Sequence, residues 1–222
     1  MLLINILLVD DHILFAKSLS VALDEYNEIE QFYSTQDIAG LNTIVCDKNI
    51  DIVLMDINLG NLSDKDGLEI ASNLLKLNPT VKIIILTGYD LPVYRHEAKK
   101  IGISGFLNKN INPDDLISSL IRVSHGKTCF PSESNEIIIE DLTSMEKKIL
   151  QLISSGKKRK CVAEELYMSE RTLSNHLQHI FEKLGVSSIV EAVTKAIQLG
   201  YISPICLSLI HISEPTRPRL IS

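Results

Sequence analysis

The chain has 222 residues, of which 45% are hydrophobic, and its 28 acidic and 22 basic side chains give a net charge of −6. This length allows one or two domains with a real hydrophobic core. No apolar stretch reaches the ~20 residues of a membrane span, and Met1 leads into a predicted strand without a charged flank or a cleavage site. We therefore expect a cytoplasmic protein with no signal peptide and no membrane segment.

The charge is unevenly divided along the chain. Residues 1–126 contain 17 acidic and 10 basic side chains, whereas residues 142–206 contain 6 acidic and 9 basic ones. An acidic part and a mildly basic part indicate different partners, and nucleic acid is one option for the second part. The four cysteines are scattered without any C-x-x-C pair, so neither a zinc site nor a disulfide framework is indicated.

Strand-like and helix-like segments alternate through the first part of the chain. Short apolar runs predict strands at residues 4–9, 29–33, 51–55, 81–86 and 105–107. Apolar residues at helical spacing predict helices at 13–25, 38–47, 68–77, 91–101 and 113–125. Five strands alternating with five helices predict an α/β fold, a doubly wound, flavodoxin-like five-stranded parallel sheet with helices on both faces.

Polar side chains follow four of the predicted strands. They are three carboxylates, one hydroxyl and one amine, on Asp10, Asp11, Asp56, Thr87 and Lys109. In an open parallel sheet ligands bind at the carboxyl ends of the strands, so we expect these residues to form one site. Neighbouring carboxylates repel unless a cation lies between them, and oxygen ligands with room for water suit Mg²⁺. A carboxylate beside Mg²⁺ and a lysine could accept a phosphoryl group.

Each of these residues has a plainer interpretation when it is taken alone. An isolated Asp-Asp pair can mark a helix N-terminus, and Lys109 can be a solvated surface lysine. Neither interpretation explains why all of these residues follow strands of one predicted sheet. Their shared position therefore favours a common site.

The motifs that carry these residues resemble the receiver domain of two-component response regulators. The matching motifs are Leu8-Val9-Asp10-Asp11-His12, Leu54-Met55-Asp56-Ile57-Asn58, Leu86-Thr87 and Gly105-Phe106-Leu107-Asn108-Lys109. The resemblance covers residues 1–125 and implies that a sensor histidine kinase phosphorylates Asp56.

The same resemblance implies a metal site and a switch. The implied Mg²⁺ ligands are Asp11 and Asp56, helped by Asp10 and the backbone carbonyl of Asn58. Lys109 would offset the phosphoryl charge, while Thr87 and Phe106 would form the switch pair. Phe106 has no hydroxyl, so a switch at this residue would work by packing alone.

The loop after Asp56 departs from the family pattern. Residues 59–67 form a longer stretch than the family usually has and lack its usual proline. Gly, Asn, Ser and Asp dominate it, which predicts a flexible loop.

A linker and a helical domain are predicted after residue 125. Residues 126–141 contain Gly, Pro, Ser and charges with little periodicity, which is typical of a linker. Helices are then predicted from a capping box at Thr143 to Ser154, at 158–166, from a cap at Ser169 to Leu184, and at 189–199. The second and third of these, joined by a three-residue turn, predict a helix-turn-helix within an all-α domain of residues 142–203.

The third of these helices has two distinct faces. At ~100° per residue, one apolar stripe contains Leu173, Leu177, Ile180, Phe181 and Leu184. The opposite face carries Arg171, Asn175, Gln178, His179 and Glu182, with Ser174 at its margin. Such groups can read base edges in a major groove, and the basic run at 157–160 can contact phosphates. Plain solvation is the alternative for both the polar face and the basic run.

Residues 142–202 resemble the LuxR-type DNA-binding domain. The matching segments are Leu142–Glu146, Ala163–Leu166, Ser169–Leu177 and Lys183–Ser188. Together with the receiver-like part, they identify the chain as a member of the NarL/FixJ response regulators. The resemblance implies promoter DNA as a partner and a homodimer built on residues 189–199. The implied DNA contacts are Lys158, Arg159, Lys160, Arg171, Thr172, Ser174, Asn175, Gln178 and Lys183.

The tail of residues 204–222 fits neither domain. From about Leu207 it resembles the translation of a transposase-type sequencing-library adapter, which predicts a non-native segment without function. A disordered native tail is the alternative.

These features predict a transcription regulator controlled by phosphorylation. One alternative is a DNA-binding regulator that does not depend on phosphorylation and uses its receiver domain for dimerisation. Another is a Mg²⁺-dependent aspartyl phosphohydrolase. Asn58 argues against the phosphohydrolase, because such enzymes typically carry an acid two residues after the nucleophile. We therefore expect a protein that is not an enzyme.

Overall fold

A computed structural model of the chain describes residues 3–63, 65–88, 90–131 and 140–202, with only the backbone at Asn61. The chain divides into two compact units, residues 1–139 and 140–222. The predicted domains of residues 1–125 and 142–203 each lie within one unit. Residues 132–139, which are half of the predicted linker, and the whole predicted tail of residues 204–222 lie outside the described residues.

The first unit is built on a five-stranded parallel sheet. Its strands are β1 (Ile4–Val9), β2 (Ile29–Thr35), β3 (Ile52–Met55), β4 (Lys82–Thr87) and β5 (Gly105–Asn108). Their order across the sheet is β2-β1-β3-β4-β5, and all the pairs are parallel. The predicted flavodoxin-like fold is therefore confirmed. β3 lies between β1 and β4 and is buried along its whole length, as expected of an apolar strand covered on both faces.

Helices cover both faces of the sheet. They are α1 (Ile13–Leu23), α2 (Leu41–Asp47), α3 (Gly67–Leu77), α4 (Pro92–Ile101) and α5 (Pro113–Ser124). One buried cluster joins α2, α3 and α4 to one face of the sheet, and a second joins α1 and α5 to the other face. Successive residues of β1, β3, β4 and β5 that enter the two clusters alternate between them, because successive side chains point to opposite faces.

The predicted element boundaries differ from the structure by a few residues. The largest difference is at α2, which begins at Leu41 rather than at residue 38. The side chain of Asp37 accepts a hydrogen bond of 3.0 Å from the Gly40 amide. This bond closes a turn at residues 37–40, and Gly40, which has a low helix propensity, stands as the N-cap from which the regular helix begins.

The chain beyond α5 returns to the edge of the sheet. The Phe106 amide donates to the Cys129 carbonyl at 2.8 Å, and the Cys129 amide donates to the Ser104 carbonyl at 2.9 Å. Phe130 packs against the cluster that contains Phe106, with the Lys99 ammonium 5.4 Å from the centre of its ring. The first residues after α5 are thus attached to β5.

The second unit contains four helices among its described residues. They are α6 (Ser144–Ser154), α7 (Arg159–Glu165), α8 (Glu170–Leu184) and α9 (Ile189–Leu199). Thr143 and Glu146 form the predicted capping box, and the Ser169 hydroxyl accepts from the Thr172 amide at the start of α8. In the part of the chain that the structure describes, no helix combines the length and the hydropathy needed to span a membrane.

Replacing Leu54 by Ala should lower the free energy of unfolding of the first unit by 2–5 kcal/mol. Leu54 is 0% exposed at the centre of the sheet, so its removal leaves a cavity. Leu14→Ala is the matched control, because Leu14 is 81% exposed on α1 and its loss should change stability by less than about 0.5 kcal/mol. Hydrogen exchange of the most protected strand amides measures both changes. Equal losses in the two variants would contradict this assignment of the core.

Candidate functional site

Main-chain hydrogen bonds hold the carboxyl ends of four strands at one edge of the sheet. The amide of Asp56, just after β3, donates to the Val9 carbonyl at the end of β1 at 3.0 Å. The amide of Lys109, just after β5, donates to the Thr87 carbonyl at the end of β4, also at 3.0 Å. The parallel register therefore brings the polar residues that follow these strands into one place, as the sequence predicts.

Lys109 connects the two buried carboxylates of this site. Its ammonium lies 2.6 Å from Oδ2 of Asp10 and 2.6 Å from Oδ2 of Asp56. Both acids are only 3% exposed. Burial alone would lower the pKa of Lys109, but its hydrogen bonds to Asp10 and Asp56 outweigh burial and raise that pKa. The ammonium therefore stays charged, and it offsets two carboxylates that would otherwise be costly to bury.

Asp11 and His12 extend the acidic cluster toward solvent. Nδ1 of His12 lies 2.6 Å from Oδ1 of Asp11 and 3.2 Å from Oδ1 of Asp10. One ligand atom from each of Asp10, Asp11, His12 and Asp56 can be chosen so that all four lie within 4.8 Å of one another. Oδ1 of Asp56 is buried and accepts no hydrogen bond from any described residue. A cation would satisfy this oxygen, so the residues present fit a divalent metal.

The site opens into a cleft of about 500 Å³. Among the described residues, those that line it are His12, Phe15, Asp56, Asn58, Gly88 and Lys109. Thr87, the last residue of β4, and Phe106, the second residue of β5, are instead fully buried. The structure thus brings Asp56, Asn58 and Lys109 to one cleft, beside the Asp10 and Asp11 carboxylates. It places the two predicted switch residues in the protein interior.

Two glycines hold the long loop after Asp56 close to the acids. Gly60 begins a short 3-10 turn, Gly60–Leu62, at a φ of +54°. A β-carbon on Gly60 would lie 2.4 Å from Oδ2 of Asp11, and one on Gly67 would lie 1.9 Å from the backbone oxygen of Asp56. The Gly67 amide also donates to the Ile57 carbonyl at 2.9 Å. Both ends of this loop therefore depend on the absence of a side chain.

The structure adds three residues to the predicted site, His12, Phe15 and Gly60. The Lys109 ammonium lies 4.9 Å from the centre of the Phe15 ring, within the range of a cation–π contact. His12 follows the Asp pair directly, and Phe15 lies three residues later, on the same side of a helix. This spacing could have identified both residues. The sequence carries no comparable signal for Gly60.

The outward face of α8 carries the predicted base-reading residues Ser174, Asn175 and Gln178, and all three are exposed. Arg171 and Thr172, which are also predicted to contact DNA, are exposed as well. Four of the five predicted apolar residues are buried, and Phe181 is partly exposed. Lys158, Arg159 and Lys160 are exposed at the start of α7. The helix-turn-helix of the second unit thus presents one polar face and one basic run to solvent.

Lys183 differs from the other predicted DNA contacts, because it pairs with a buried acid. Its ammonium lies 2.8 Å from Oε2 of Glu146, which is 3% exposed, and 3.1 Å from the Asp141 carbonyl. Burial would raise the pKa of Glu146, but hydrogen bonds from Lys183 and Thr143 outweigh burial and hold that pKa below its ordinary value of 4.5. Lys183 therefore links the end of α8 to the start of α6.

These features define a class of protein in which a parallel α/β domain with an acidic strand-end site is joined to a helix-turn-helix domain. The sequence matches the response regulator receiver domain over residues 6–121. It also matches the bacterial regulatory proteins of the luxR family over residues 140–196. The chain therefore belongs to the response regulators with a LuxR-type DNA-binding domain, and it is a DNA-binding transcriptional regulator.

Individual relatives agree with this assignment. The chain is 34% identical to the transcriptional regulatory protein DesR of Bacillus subtilis, over 68% of this chain and 75% of that protein. It is 29% identical to DegU of Brevibacillus brevis, over 90% of this chain and 95% of that protein. A structure of RcsB from Salmonella enterica serovar Typhimurium is similar at a TM-score of 0.65 and 20% identity, covering 86% of this chain and 97% of that chain. The likeness to RcsB shows a common fold.

The contribution of Glu146 to the stability of the second unit should depend on pH. Because its folded pKa is lowered below 4.5, this stability should be fully present above pH 4.5 and lost as the pH falls through the folded pKa. Glu146→Gln should remove this dependence. At neutral pH, Lys183→Met should cost about 2 kcal/mol, typical of a hydrogen bond to a charged group. Hydrogen exchange of the α6 amides between pH 6 and pH 3 tests these expectations. A pH profile unchanged by Glu146→Gln would contradict them.

Proposed function

We propose that Asp56 accepts a phosphoryl group from the phosphohistidine of a sensor histidine kinase and that this event controls binding to promoter DNA. One observation carries the proposal. The Asp56 carboxylate lines an open cleft, with Oδ2 held by Lys109 and Oδ1 buried without a hydrogen bond from the described residues. A carboxylate oxygen would attack phosphorus, and the bond from phosphorus to the histidine nitrogen would break. The Lys109 ammonium would offset the added negative charge.

Asp10, Asp11 and Asp56, with the carbonyl of Asn58, are the residues that would hold Mg²⁺. Three carboxylates face one ammonium in this cluster, so an excess of negative charge is left for a divalent cation to neutralise. When bound, Mg²⁺ would lower the repulsion between the acids and the incoming phosphoryl oxygens. The role of the protein residues would be to fix the position of the accepting carboxylate before the donor arrives.

Thr87 and Phe106 would carry the change away from the site. Thr87 is fully buried at the end of β4, where its carbonyl accepts the Lys109 amide. Phe106 is fully buried in the core cluster on the α4 side of the sheet. A phosphoryl group that attracts the Thr87 hydroxyl would alter packing next to β5, which is a local event acting on a two-state element. Without a hydroxyl, Phe106 would respond through packing alone.

Two groups of residues in the second unit would bind promoter DNA. Ser174, Asn175 and Gln178 would contact base edges from the exposed face of α8. Backbone contacts would come from the remaining basic and polar residues, Lys158, Arg159, Lys160, Arg171, Thr172 and Lys183. A homodimer on α9 would place two such helices on two half-sites, and the 72% exposure of Val190 leaves an apolar group available there.

A signalling role fits this cleft better than enzymatic turnover. Asn58 lines the cleft two residues after Asp56, and its amide cannot act as a general acid in the way that a carboxyl group does. We therefore propose a switch in the cytoplasm that is not an enzyme. DNA binding without phosphorylation, with the first unit serving in dimerisation, is the competing proposal that the following experiment separates.

Incubation with a small phosphodonor should add one phosphoryl group to the protein, and only when Mg²⁺ is present. Intact mass spectrometry measures the gain. Asp56→Asn should abolish it because the accepting oxygen is lost. The matched control is Asp47→Asn, which changes an exposed acid at the end of α2 and should leave the gain unchanged. An absence of phosphorylation under every condition would remove the switch and favour the competing proposal.

Asn175→Ala and Lys160→Ala should weaken DNA binding in different ways. Loss of a base contact at Asn175 should lower the free energy of binding to selected DNA by about 1–3 kcal/mol and leave binding to random DNA unchanged. Loss of a phosphate contact at Lys160 should weaken binding to selected and to random DNA alike. It should also lower the slope of log affinity against log salt concentration by about one. Fluorescence anisotropy on sites selected from a random pool measures the affinities. Glu164→Ala, an exposed residue of α7 outside the proposed contacts, is the control. Equal effects of the first two variants on both DNAs would contradict the division of roles.

A further inference from the structure

Gly60 lies directly against one of the proposed metal ligands. Its φ of +54° belongs to the left-handed region, and a β-carbon there would lie 2.4 Å from Oδ2 and 3.4 Å from Cγ of Asp11. Favourable contacts between heavy atoms lie near 3.5 Å or more. A side chain at this position would therefore force either the Asp11 carboxylate or the loop to move.

The loop is fixed on both sides of Gly60, so it cannot easily give way. Leu59 is 2% exposed in the core cluster, and the Leu62 amide donates to the Leu59 carbonyl at 3.0 Å. Farther along, Gly67 packs against the backbone of Asp56. A shift of the loop would disturb these contacts, which leaves the Asp11 carboxylate as the group that must turn.

Turning that carboxylate would also break its other contact. Oδ1 of Asp11 lies 2.6 Å from Nδ1 of His12, so the orientation of the carboxylate is set by His12 on one oxygen and by the space beside Gly60 on the other. A rotation would move the carboxylate oxygens of Asp11 relative to Asp10 and Asp56, with which Asp11 forms the acidic cluster. The absence of a side chain at residue 60 thus preserves the arrangement of the acids.

We propose that Gly60 is a positioning residue for the cation site, where it lets the long loop pack over Asp11 while keeping both carboxylate oxygens in place. This inference rests on the proposed binding of Mg²⁺. It gives the extended loop a defined role, since the loop would form one wall of the metal site.

Gly60→Ala should weaken Mg²⁺ binding about tenfold or more, which is the usual effect of disturbing a residue that orients a ligand. Isothermal titration of the full chain with Mg²⁺ alone measures the affinity. Gly102→Ala is the matched control, because Gly102 also has a positive φ, of +89°, and a β-carbon there would meet nothing within 4 Å. This variant should keep the wild-type affinity.

A double variant tests whether the effect acts through Asp11. Gly60→Ala should destabilise the protein less when Asp11 is also Ala, because the clashing carboxylate is gone. This comparison remains informative if Gly60→Ala alone does not fold. An equal loss of stability in both backgrounds would overturn the inference.

The possible failures of this experiment have distinct meanings. Wild-type protein that does not bind Mg²⁺ would overturn the proposed metal site itself. Wild-type affinity in Gly60→Ala, or an equal loss in Gly102→Ala, would overturn only the role of Gly60. Weaker binding confined to Gly60→Ala would support that role.

Discussion

The ion contact between the Lys109 ammonium and the carboxylates of Asp10 and Asp56 is the interaction on which the first unit depends. Both acids are buried at the ends of apolar strands, where an unpaired charge is very costly. Lys109 can reach them because main-chain bonds join the end of β3 to β1 and the end of β5 to β4. The sheet and the site therefore require each other: the strands place the charges, and the charges can stay buried only in this arrangement.

The second unit uses the same principle at a smaller scale. Glu146 is buried next to the capping box of α6 and receives the ammonium of Lys183 from α8. In both units a lysine from a distant part of the chain neutralises a buried acid. The two sites differ in the hydrogen bonding of the buried carboxylate. Glu146 accepts hydrogen bonds from Lys183 and Thr143, whereas Asp56 keeps one oxygen without a hydrogen bond among the described residues. This difference separates a contact that holds helices together from one that can accept a ligand.

The architecture and the positions of the acids are predictable from the sequence because both follow from simple periodic rules. Parallel strands end at one edge, so the sequence alone places Asp10, Asp56 and Lys109 together. The start of α2 at Leu41 does not follow from periodicity, because it depends on the turn that ends at Gly40 and on the low helix propensity of that glycine. Gly60 was missed for a similar reason. A positive φ and a close approach to Asp11 depend on the path of an irregular loop, which no spacing of apolar residues encodes.

The main-chain hydrogen bond between Phe106 and Cys129 has a consequence for the solubility of the protein. β5 is an outer strand of the sheet, and outer strands offer unpaired amides and carbonyls to which another chain can add. The Cys129 carbonyl accepts a hydrogen bond from the Phe106 amide, and the Cys129 amide donates one to the Ser104 carbonyl. The strand itself spans only four residues, Gly105–Asn108. A short and partly covered edge is a poor template for intermolecular β-pairing. The residues that follow α5 thus protect the sheet against aggregation beside the buried ring of Phe106.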